Sequence, residues 1–365
     1  MKIECVKEKL LEAVQAAEKI TGKNLTLPVL SSILFETKQT KLVLKATNLD
    51  LGIEIEVPAK IITPGQVAVA GSTLLGFLTN LNAEKVEIEL IEGTLHVSGG
   101  RASATIKTFA SEEFPIIPRI ASTKVLELDT AQFNDGLKSV WFSAAATSVK
   151  PELSSVYVYT EDEQMIFVAT DSFRLAEKKV SAKKAKDLPG ILIPFKNVNE
   201  IIKTLEMAGG NVLVSIDGNQ ISFEKESLYL ISRVIDASFP DYRQIIPKES
   251  KTEVTLLKQD LISALKIANV FSDSFNQVVM KISPGQKLFE LTTKNSQIGQ
   301  NVTALDCALS GEDITISFNY KYIVDCFGSI KSDSVNLLFQ GLGKPVLIKG
   351  VSDKAFQYIV MPMNK

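Results

Sequence analysis

The chain has 365 residues, 45% of them hydrophobic and 22% charged, and its formal net charge is −2. Domains cluster near roughly 100–150 residues, so a chain of this length is expected to form two or three of them rather than one core. It has no apolar run of the roughly 18 residues that cross a bilayer, and its charge gives the whole molecule no long-range attraction to nucleic acid.

The first predicted elements are a short strand and a helix within MKIECVKEKLLEAV. Charges at Lys2, Glu4, Lys7, Glu8 and Lys9 interrupt this segment, so it lacks the continuous apolar core of a signal peptide. We therefore expect a cytoplasmic protein.

A helical segment with apolar residues four apart follows a strand-like run at three places. The three pairs are Leu10 and Val14, Phe133 and Leu137, and Leu261 and Leu265. A second helical segment follows a β-branched run in each third, within VAVAGSTLLGFL, ILIPFKNVNEII and ITISFNYKYIVDCF. Alternating strand runs then begin at Val86, Val212 and Val335. The repeated order of elements predicts three similar domains.

A strand, a polar turn and a second strand occupy an equivalent place in each third. Ala46–Asn48 precedes Ala169–Asp171 by 123 residues, and LTTKNSQIGQNVTAL is a weaker third copy. In the middle copy, VATDSFRLA places Asp171, Ser172 and Arg174 together. This pattern is compatible with a catalytic site, a ligand-binding site or a simple turn. The repeat favours a β-hairpin as its shape.

Two short polar segments marked by proline separate the thirds, at Pro118–Lys124 and Pro247–Glu253. We predict an α+β fold of three similar domains, at residues 1–121, 122–249 and 250–365. Each would pack two helices against antiparallel sheets.

Catalytic motifs are absent from the sequence. The single histidine, His96, lies in a strand-like run far from any nucleophile motif, and GLGKP lacks the spacing and the hydroxyl of a phosphate-binding loop. Asp171 and Asp241 are the best candidates for acid chemistry, yet Arg174 and Arg243 follow them closely, so local pairing or turn capping explains both. We predict no enzyme, no catalytic residue and no cofactor.

Cysteine usage predicts neither a disulfide framework nor a metal site. The chain has three cysteines, Cys5, Cys307 and Cys326, without C-x-x-C spacing. Each is expected to be a small buried hydrophobic residue.

Two further segments are unusually apolar for their positions. FPDYRQIIPK, residues Phe239–Lys248, contains the pair Ile245 and Ile246, and the chain ends with Val360–Met363 close to its terminus. The terminal segment suits either a final strand, with Pro362 ending its ladder, or a binding surface.

Several of these motifs occur in an order that resembles a known family. TLPVLSSILFE, ATNLDLGIEIEV, FP at Phe114, VATDSFRLA, FPDYRQIIP and VMPM are similar to the successive signatures of the bacterial DNA polymerase III beta subunit family of sliding clamps. The resemblance spans the whole chain. It implies a head-to-tail homodimer whose six domains close around double-stranded DNA, with helices lining the hole and sequence-independent contacts to phosphates.

The resemblance also implies one peptide-binding pocket, built from the second-domain hairpin, the FPDYR segment and the C-terminal tail. The replicative DNA polymerase and clamp-loader subunits would dock there through short motifs. The implied lining is Leu153, Thr170, Ser172, Phe173, Arg174, Leu175, Pro240, Gln244, Ile245, Val346, Ile359, Val360, Met361, Pro362 and Met363. Phe173 replaces a common histidine, and Gln244 and Asn364 replace arginines, so a more apolar and less basic pocket is expected.

Two other surfaces follow from the resemblance. Lys23, Lys150 and Lys196 match basic positions that contact DNA, although Asn24 replaces a basic residue of some members. Leu74 and Ile106 of the first domain would meet Val270 and Phe271 of the third at the dimer interface; packing within each domain core is the alternative for these four residues.

A non-enzymatic sliding clamp is thus the leading reading of the sequence. The alternative is a monomeric three-domain adaptor that binds peptides without encircling DNA. A catalytic protein with an unfamiliar site is a third reading.

Overall fold

The computed structural model describes residues 1–22, 27–121, 125–147, 149–182 and 188–363. These residues form antiparallel sheets and six α-helices, an α+β architecture. The helices are α1 Lys7–Ile20, α2 Gly71–Asn80, α3 Thr130–Val140, α4 Phe195–Ala208, α5 Lys258–Val270 and α6 Tyr320–Asp325.

The strands of the first third are β1 Lys2–Val6, β2 Ser32–Lys38, β3 Lys41–Thr47, β4 Leu51–Thr63, β5 Gln66–Ala70, β6 Lys85–Ile91, β7 Thr94–Gly99 and β8 Ala102–Phe109. Those of the middle third are β9 Val125–Asp129, β10 Ser155–Glu161, β11 Gln164–Thr170, β12 Arg174–Ser181, β13 Ile191–Pro194, β14 Asn211–Asp217, β15 Gln220–Lys225 and β16 Leu228–Arg233. Those of the last third are β17 Thr252–Leu257, β18 Gln277–Ser283, β19 Leu288–Asn295, β20 Gly299–Ala304, β21 Ala308–Gly311, β22 Ile314–Asn319, β23 Ser334–Phe339, β24 Val346–Gly350 and β25 Phe356–Val360.

The predicted order of elements is confirmed in all three thirds. Helices α1, α3 and α5 each follow a short strand, and α2, α4 and α6 each follow a β-branched strand. Burial of one apolar stripe explains why these segments are helical, because a helix gains most of its stability from packing that face. The residues that predicted the first helices are fully buried: Leu10, Val14, Phe133, Leu137, Leu261 and Leu265.

The chain divides into two compact units. The first comprises Met1–Ala131 and Asn197–Val234, and the second Gln132–Lys196 and Ile235–Lys365. The first unit contains one 12-stranded sheet in the order β1-β6-β7-β8-β5-β2-β3-β4-β16-β15-β14-β9. The second contains a nine-stranded sheet, β13-β10-β11-β12-β25-β24-β23-β17-β21, and a four-stranded sheet, β20-β19-β18-β22.

The turn of the first-third hairpin is held by side chains at its start. Thr47 Oγ1 donates a hydrogen bond of 2.7 Å to the Leu51 carbonyl, and Asn48 Oδ1 accepts from the backbone N–H of Asp50 and Leu51. Leu49 has a φ of 75°, the left-handed conformation that such a tight turn requires.

No helix in the described part of the chain is both long and apolar enough to span a membrane.

Candidate functional site

The hairpin of the middle third repeats the turn chemistry of the first. Thr170 Oγ1 donates to the Arg174 carbonyl at 2.7 Å, and Asp171 Oδ1 accepts from the N–H groups of Phe173 and Arg174 at 2.9 and 3.0 Å. Ser172 occupies the left-handed region with a φ of 78°. Asp171 is therefore a turn-capping residue, and the predicted hairpin is confirmed.

Arg174 joins the turn to two other segments. Its Nε donates to Asp171 Oδ2 at 2.9 Å, its Nη1 pairs with Asp325 of α6, and its Nη2 donates to the Phe142 carbonyl at 2.6 Å. The guanidinium also lies 4.6 Å from the ring centroid of Tyr322. Burial alone lowers the pKa of Arg174, but acidic neighbours including Asp325 and Asp171 outweigh burial and raise it, so the side chain stays charged.

The C-terminal segment extends the same sheet beside this hairpin. Strand β25 pairs with β12 so that Arg174 faces Val360 and Leu175 faces Ile359. The ladder ends at Val360, as expected before Pro362, and the Met361 N–H donates to the Phe173 carbonyl at 2.8 Å. Val360 thus belongs to the core, as the final-strand reading expects, whereas the two methionines lie beyond the strand.

The FPDYR segment packs on one face of the same sheet through its aromatic residues. Phe239 stacks on Tyr157 of β10 with ring centroids 5.0 Å apart, and Tyr242 is buried in a cluster with Leu175 and Ile359. The Tyr242 hydroxyl donates to Glu177 Oε2 at 2.5 Å. Hairpin, linker and tail therefore meet within one compact unit.

A hydrogen-bond network fixes this linker. The hydroxyls of Tyr159 and Tyr242 are 2.8 Å apart, and Arg243 donates to Tyr159 and pairs with Glu161 of β10. Burial and the hydrogen bond to the Glu177 carboxylate raise the pKa of Tyr242, so its hydroxyl remains a donor at ordinary pH.

The predicted lining separates into buried and accessible residues. Phe173, Ile245 and Met361 expose 60%, 50% and 38% of their surface. The other accessible members are Ser172, Pro240 and Gln244, and those of intermediate exposure are Leu153, Arg174, Pro362 and Met363. Five members belong to the chain's own core: Thr170, Leu175, Val346, Ile359 and Val360.

The second acid candidate is also held by a local partner, but not by the expected one. Asp241 Oδ2 accepts from Gln244 Nε2 at 2.6 Å, whereas Arg243 turns to Glu161 and Tyr159. Of the two explanations expected for Asp241, local pairing or turn capping, a local partner is present, but it is Gln244 and not Arg243, because a strand carboxylate and a phenol give the guanidinium two other partners.

The single histidine has ordinary strand surroundings. The His96 ring nitrogens lie 3.2 and 3.3 Å from the hydroxyls of Thr94 and Thr105. Within the described residues, no three His, Cys, Asp or Glu side chains cluster closely enough to hold a metal ion.

The structure describes two of the three lysines that are predicted to contact DNA. Lys23 and Asn24 lie outside the described residues, as does Asn364 of the tail. Lys150 and Lys196 are both exposed, and backbone hydrogen bonds connect the segments that carry them. The Leu153 N–H donates to the Lys150 carbonyl at 3.1 Å, and the Phe195 N–H donates to the Ser154 carbonyl at 2.8 Å.

The residues predicted for the dimer interface differ in accessibility. Leu74 of α2 is 0% exposed and Ile106 of β8 is also buried, so both side chains pack within the first domain, which is the alternative given for them. Val270, at the end of α5, is 63% exposed, and Phe271 beside it is half-buried. Of the four side chains, Val270 offers the most surface to another chain.

Several residues that position this site were not predicted from the sequence. Phe142, Tyr322 and Asp325 hold Arg174, and Glu177 holds Tyr242. The alternation of Tyr157 and Tyr159 along β10 was the available signal for an aromatic platform. The partners of Arg174 had no local signal, because Asp325 lies 151 residues away along the chain.

Three family models match the chain in succession. They describe the N-terminal, central and C-terminal domains of the DNA polymerase III beta subunit and match residues 1–118, 127–241 and 243–364. Together they cover most of the sequence.

Similar proteins agree with these models over their full lengths. The proteins named "Beta sliding clamp" from Caulobacter vibrioides and Bacillus subtilis are 27% and 25% identical, with 100% of both chains covered in each case. The crystal structure of the DNA polymerase III beta subunit from Thermotoga maritima has a TM-score of 0.94 at 27% identity, covering 100% of this chain and 99% of the other.

Proposed function

This chain belongs to the DNA polymerase III beta subunit family, and we propose that it is a non-enzymatic sliding clamp that encircles duplex DNA and tethers the replicative polymerase. The observation that carries the proposal is the threefold repeat of two helices and antiparallel strands, matched in order by three domain models over nearly the whole chain. We take the three domains to run over residues 1–121, 122–249 and 250–365. A cytoplasmic location is part of the same proposal.

A pocket for peptide motifs accounts for the accessible apolar residues of the second unit. Phe173, Ile245 and Met361 are exposed, and Leu175 and Ile359 of the same unit belong to a buried layer. Such a rigid base lets an apolar anchor bind without reorganising the sheet. Burial of two anchors would contribute on the order of 3–6 kcal/mol before association costs, which suits partners that exchange.

Polymerase and clamp-loader subunits are the proposed occupants. The exposed Gln244 amide can exchange hydrogen bonds with a glutamine side chain, and Phe173 makes this pocket more apolar than a histidine would. The Asp171 carboxylate accepts hydrogen bonds that hold the turn, and the Arg174 guanidinium forms an ion pair with Asp325. Neither side chain is therefore available for acid–base catalysis.

Two unpaired strand edges support a head-to-tail homodimer. Strand β8 pairs with β7 over residues 102–107 and with β5 only at Thr108 and Phe109, so residues 102–107 have no strand on their outer side within the described chain. In the four-stranded sheet, β20 pairs only with β19 among the described strands. Pairing β8 of one copy with β20 of another would satisfy both edges, and Val270 and Phe271 belong to the same domain as β20.

Weak contact with DNA fits the charges on the helices. Lys9 pairs with Glu12 within α1, and Lys203 pairs with Glu200 within α4, each at 3.2 Å. Such pairing reduces the net attraction of these helices for phosphates. A closed ring needs no tight contact to stay on DNA, so exposed lysines such as Lys150 and Lys196 would provide enough attraction without impeding sliding.

Retention on circular DNA tests the proposal. The protein is loaded by a clamp loader onto a nicked circular duplex, and half of the sample is then linearised with a restriction enzyme before gel filtration. We expect the protein to stay with the circle and to leave the linear form. Equal retention on both would contradict topological linkage and favour the monomeric adaptor, and a hydrolase or transferase activity in the purified protein would contradict the non-enzymatic part.

A further inference from the structure

The second unit contains a cavity of about 440 Å³ away from the hairpin turn, lined by charged and hydroxyl side chains. It opens where β12, α3 and two segments of the last third meet. Its polar lining includes Asp135, Lys178, Lys331, Ser332, Ser352 and Asp353. The peptide-binding residues named above are not part of it.

Lys178 is buried beneath this cavity although it carries a charge. It is 3% exposed, and in the sheet it pairs with Phe167 on one side and Phe356 on the other. Side chains of directly paired residues point to the same face, and Phe167 packs edge-on against Phe133 of α3 at 5.4 Å. The Lys178 ammonium is therefore on the helix-covered face of the sheet, where an apolar residue would ordinarily lie.

The Lys178 ammonium has no hydrogen-bond acceptor among the described residues. Its nearest carboxylate oxygen, Asp135 Oδ2, is 3.7 Å away, beyond hydrogen-bond distance. Asp135 is already engaged by Lys331, whose Nζ lies 3.0 Å from Oδ1 and 3.1 Å from Oδ2. A lysine that is 3% exposed and whose ammonium has no carboxylate closer than 3.7 Å can donate to a further acceptor in the cavity.

A second buried group at the same cavity needs a donor instead. Asp353 Oδ1 accepts from the Ala355 N–H at 2.8 Å, but Oδ2 is buried and accepts no hydrogen bond from any described residue. The lining of the cavity thus contains lysine donors and a carboxylate with one unused, buried oxygen. Lys179 also borders it, although its ammonium lies 3.7 Å from Glu177 Oε1.

We propose that this cavity binds a phosphate group that retains a proton, as inorganic phosphate does at pH 7 and a phosphomonoester does near its second pKa of about 6. Phosphate oxygens would accept from Lys178 and from the hydroxyls of Ser332 and Ser352, while the P–O–H group would donate to Asp353 Oδ2 after a small rotation of that side chain, because this oxygen is buried. Sulfate at neutral pH and the internal phosphodiesters of DNA carry no such proton. Both would place an oxygen lone pair against the Asp353 carboxylate and bind worse.

Calorimetric titration of the intact protein tests the proposal. Sodium phosphate and sodium sulfate are each added at pH 7 and constant ionic strength, with chloride as the balancing salt. We expect saturable binding of phosphate and at least about tenfold weaker binding of sulfate, since one unsatisfied buried acceptor corresponds to roughly that factor. Absence of phosphate binding, or equal affinity for the two anions, would overturn the proposal.

Variants assign the binding to these residues. Lys178→Met keeps a buried chain of similar length and should weaken phosphate binding at least about tenfold, whereas Lys281→Met, at an exposed strand lysine of the same unit, should leave it unchanged. Asp353→Asn should narrow the difference between phosphate and sulfate. Unchanged phosphate affinity in Lys178→Met would refute the site, and circular dichroism checks that each variant is folded.

The source of the phosphate is resolved with short DNA duplexes. At pH 6, where a 5′-phosphate retains its proton in about half of the molecules, a duplex with 5′-phosphate ends is compared with the same duplex ending in 5′-hydroxyl groups, in wild type and in Lys178→Met. A Lys178-dependent gain from the 5′-phosphate would identify a DNA end as the ligand. Equal binding of the two duplexes, together with saturable binding of inorganic phosphate, would identify the free ion.

Discussion

The backbone N–H of Met361 donates a hydrogen bond of 2.8 Å to the carbonyl of Phe173, so the first residue after the last strand is fastened to the tip of the middle hairpin. The two apolar side chains are consequently held on neighbouring backbone positions, and both remain accessible. Phe173 is therefore presented on a rigid support rather than on a free loop end.

Truncation of Phe173 should weaken peptide binding without unfolding the protein. Phe173 is 60% exposed, so Phe173→Ala removes little core packing but most of one apolar contact for a ligand. We expect about tenfold weaker binding of a fluorescein-labelled peptide with a glutamine and apolar anchors, measured by anisotropy. Val351→Ala, at a valine with 51% exposure outside the proposed pocket, serves as the control. Equal affinity of wild type and Phe173→Ala would exclude Phe173 from the binding surface.

The two threonines that hold equivalent turns should share a structural role but not a functional one. Thr170→Val and Thr47→Val each remove a hydroxyl that donates to a carbonyl at 2.7 Å and accepts a backbone N–H. Each should cost about 1–2 kcal/mol in the free energy of unfolding, measured with urea. Only Thr170→Val should also weaken the labelled peptide. Similar loss of peptide affinity in both variants would mean that global stability, not the local turn, controls binding.

Removal of the Tyr242 hydroxyl should loosen the FPDYR segment. Tyr242→Phe leaves the buried Glu177 carboxylate without one of its donors, and we expect a cost of about 1–3 kcal/mol by urea unfolding. Glu177→Gln in the same background tests the coupling, because a neutral amide depends less on the phenol donor than a carboxylate does. If the two substitutions are strictly additive, the hydroxyl and the carboxylate do not interact as the structure indicates.

A charge on the edge of β20 should separate the proposed dimer. Val302→Lys places an ammonium on an unpaired edge strand at a position with 50% exposure, where another copy would have to desolvate it. We expect the dimer dissociation constant to rise at least about tenfold in sedimentation equilibrium, with an unchanged circular dichroism spectrum. Val351→Lys is the matched control at 51% exposure. Dimers as stable as wild type in Val302→Lys would remove β20 from the interface.

The three thiols should react at very different rates. Burial raises the pKa of Cys5 to about 12 and that of the fully buried Cys326 still further, whereas Cys307 is only half-buried. Because the thiolate is the reactive form, a maleimide reagent at pH 8 should modify Cys307 first and the other two only on unfolding. Mass spectrometry of proteolytic fragments identifies the labelled residue. Rapid labelling of Cys326 in the native protein would contradict its buried position.

The sequence by itself determined the repeated elements of this protein. Apolar residues four apart lie on one face of the helix α1, and apolar residues two apart lie on one face of the strand β6. Thr-Asn and Thr-Asp pairs specify a turn through side-chain hydrogen bonds that span four residues or fewer. Such patterns are readable because each depends only on neighbours in the chain. They were sufficient for the order of helices, strands and hairpins in all three thirds.

Only the tertiary structure decided which of the noted residues are accessible and what holds them. Leu74 and Val270 are both apolar residues of helices, yet one is fully buried and the other 63% exposed. Arg174 meets Asp325 across 151 residues, and Lys178 lies between two phenylalanines of different strands. These environments depend on which strands pair and which helix covers them, and burial created by distant segments has no signature in the local sequence.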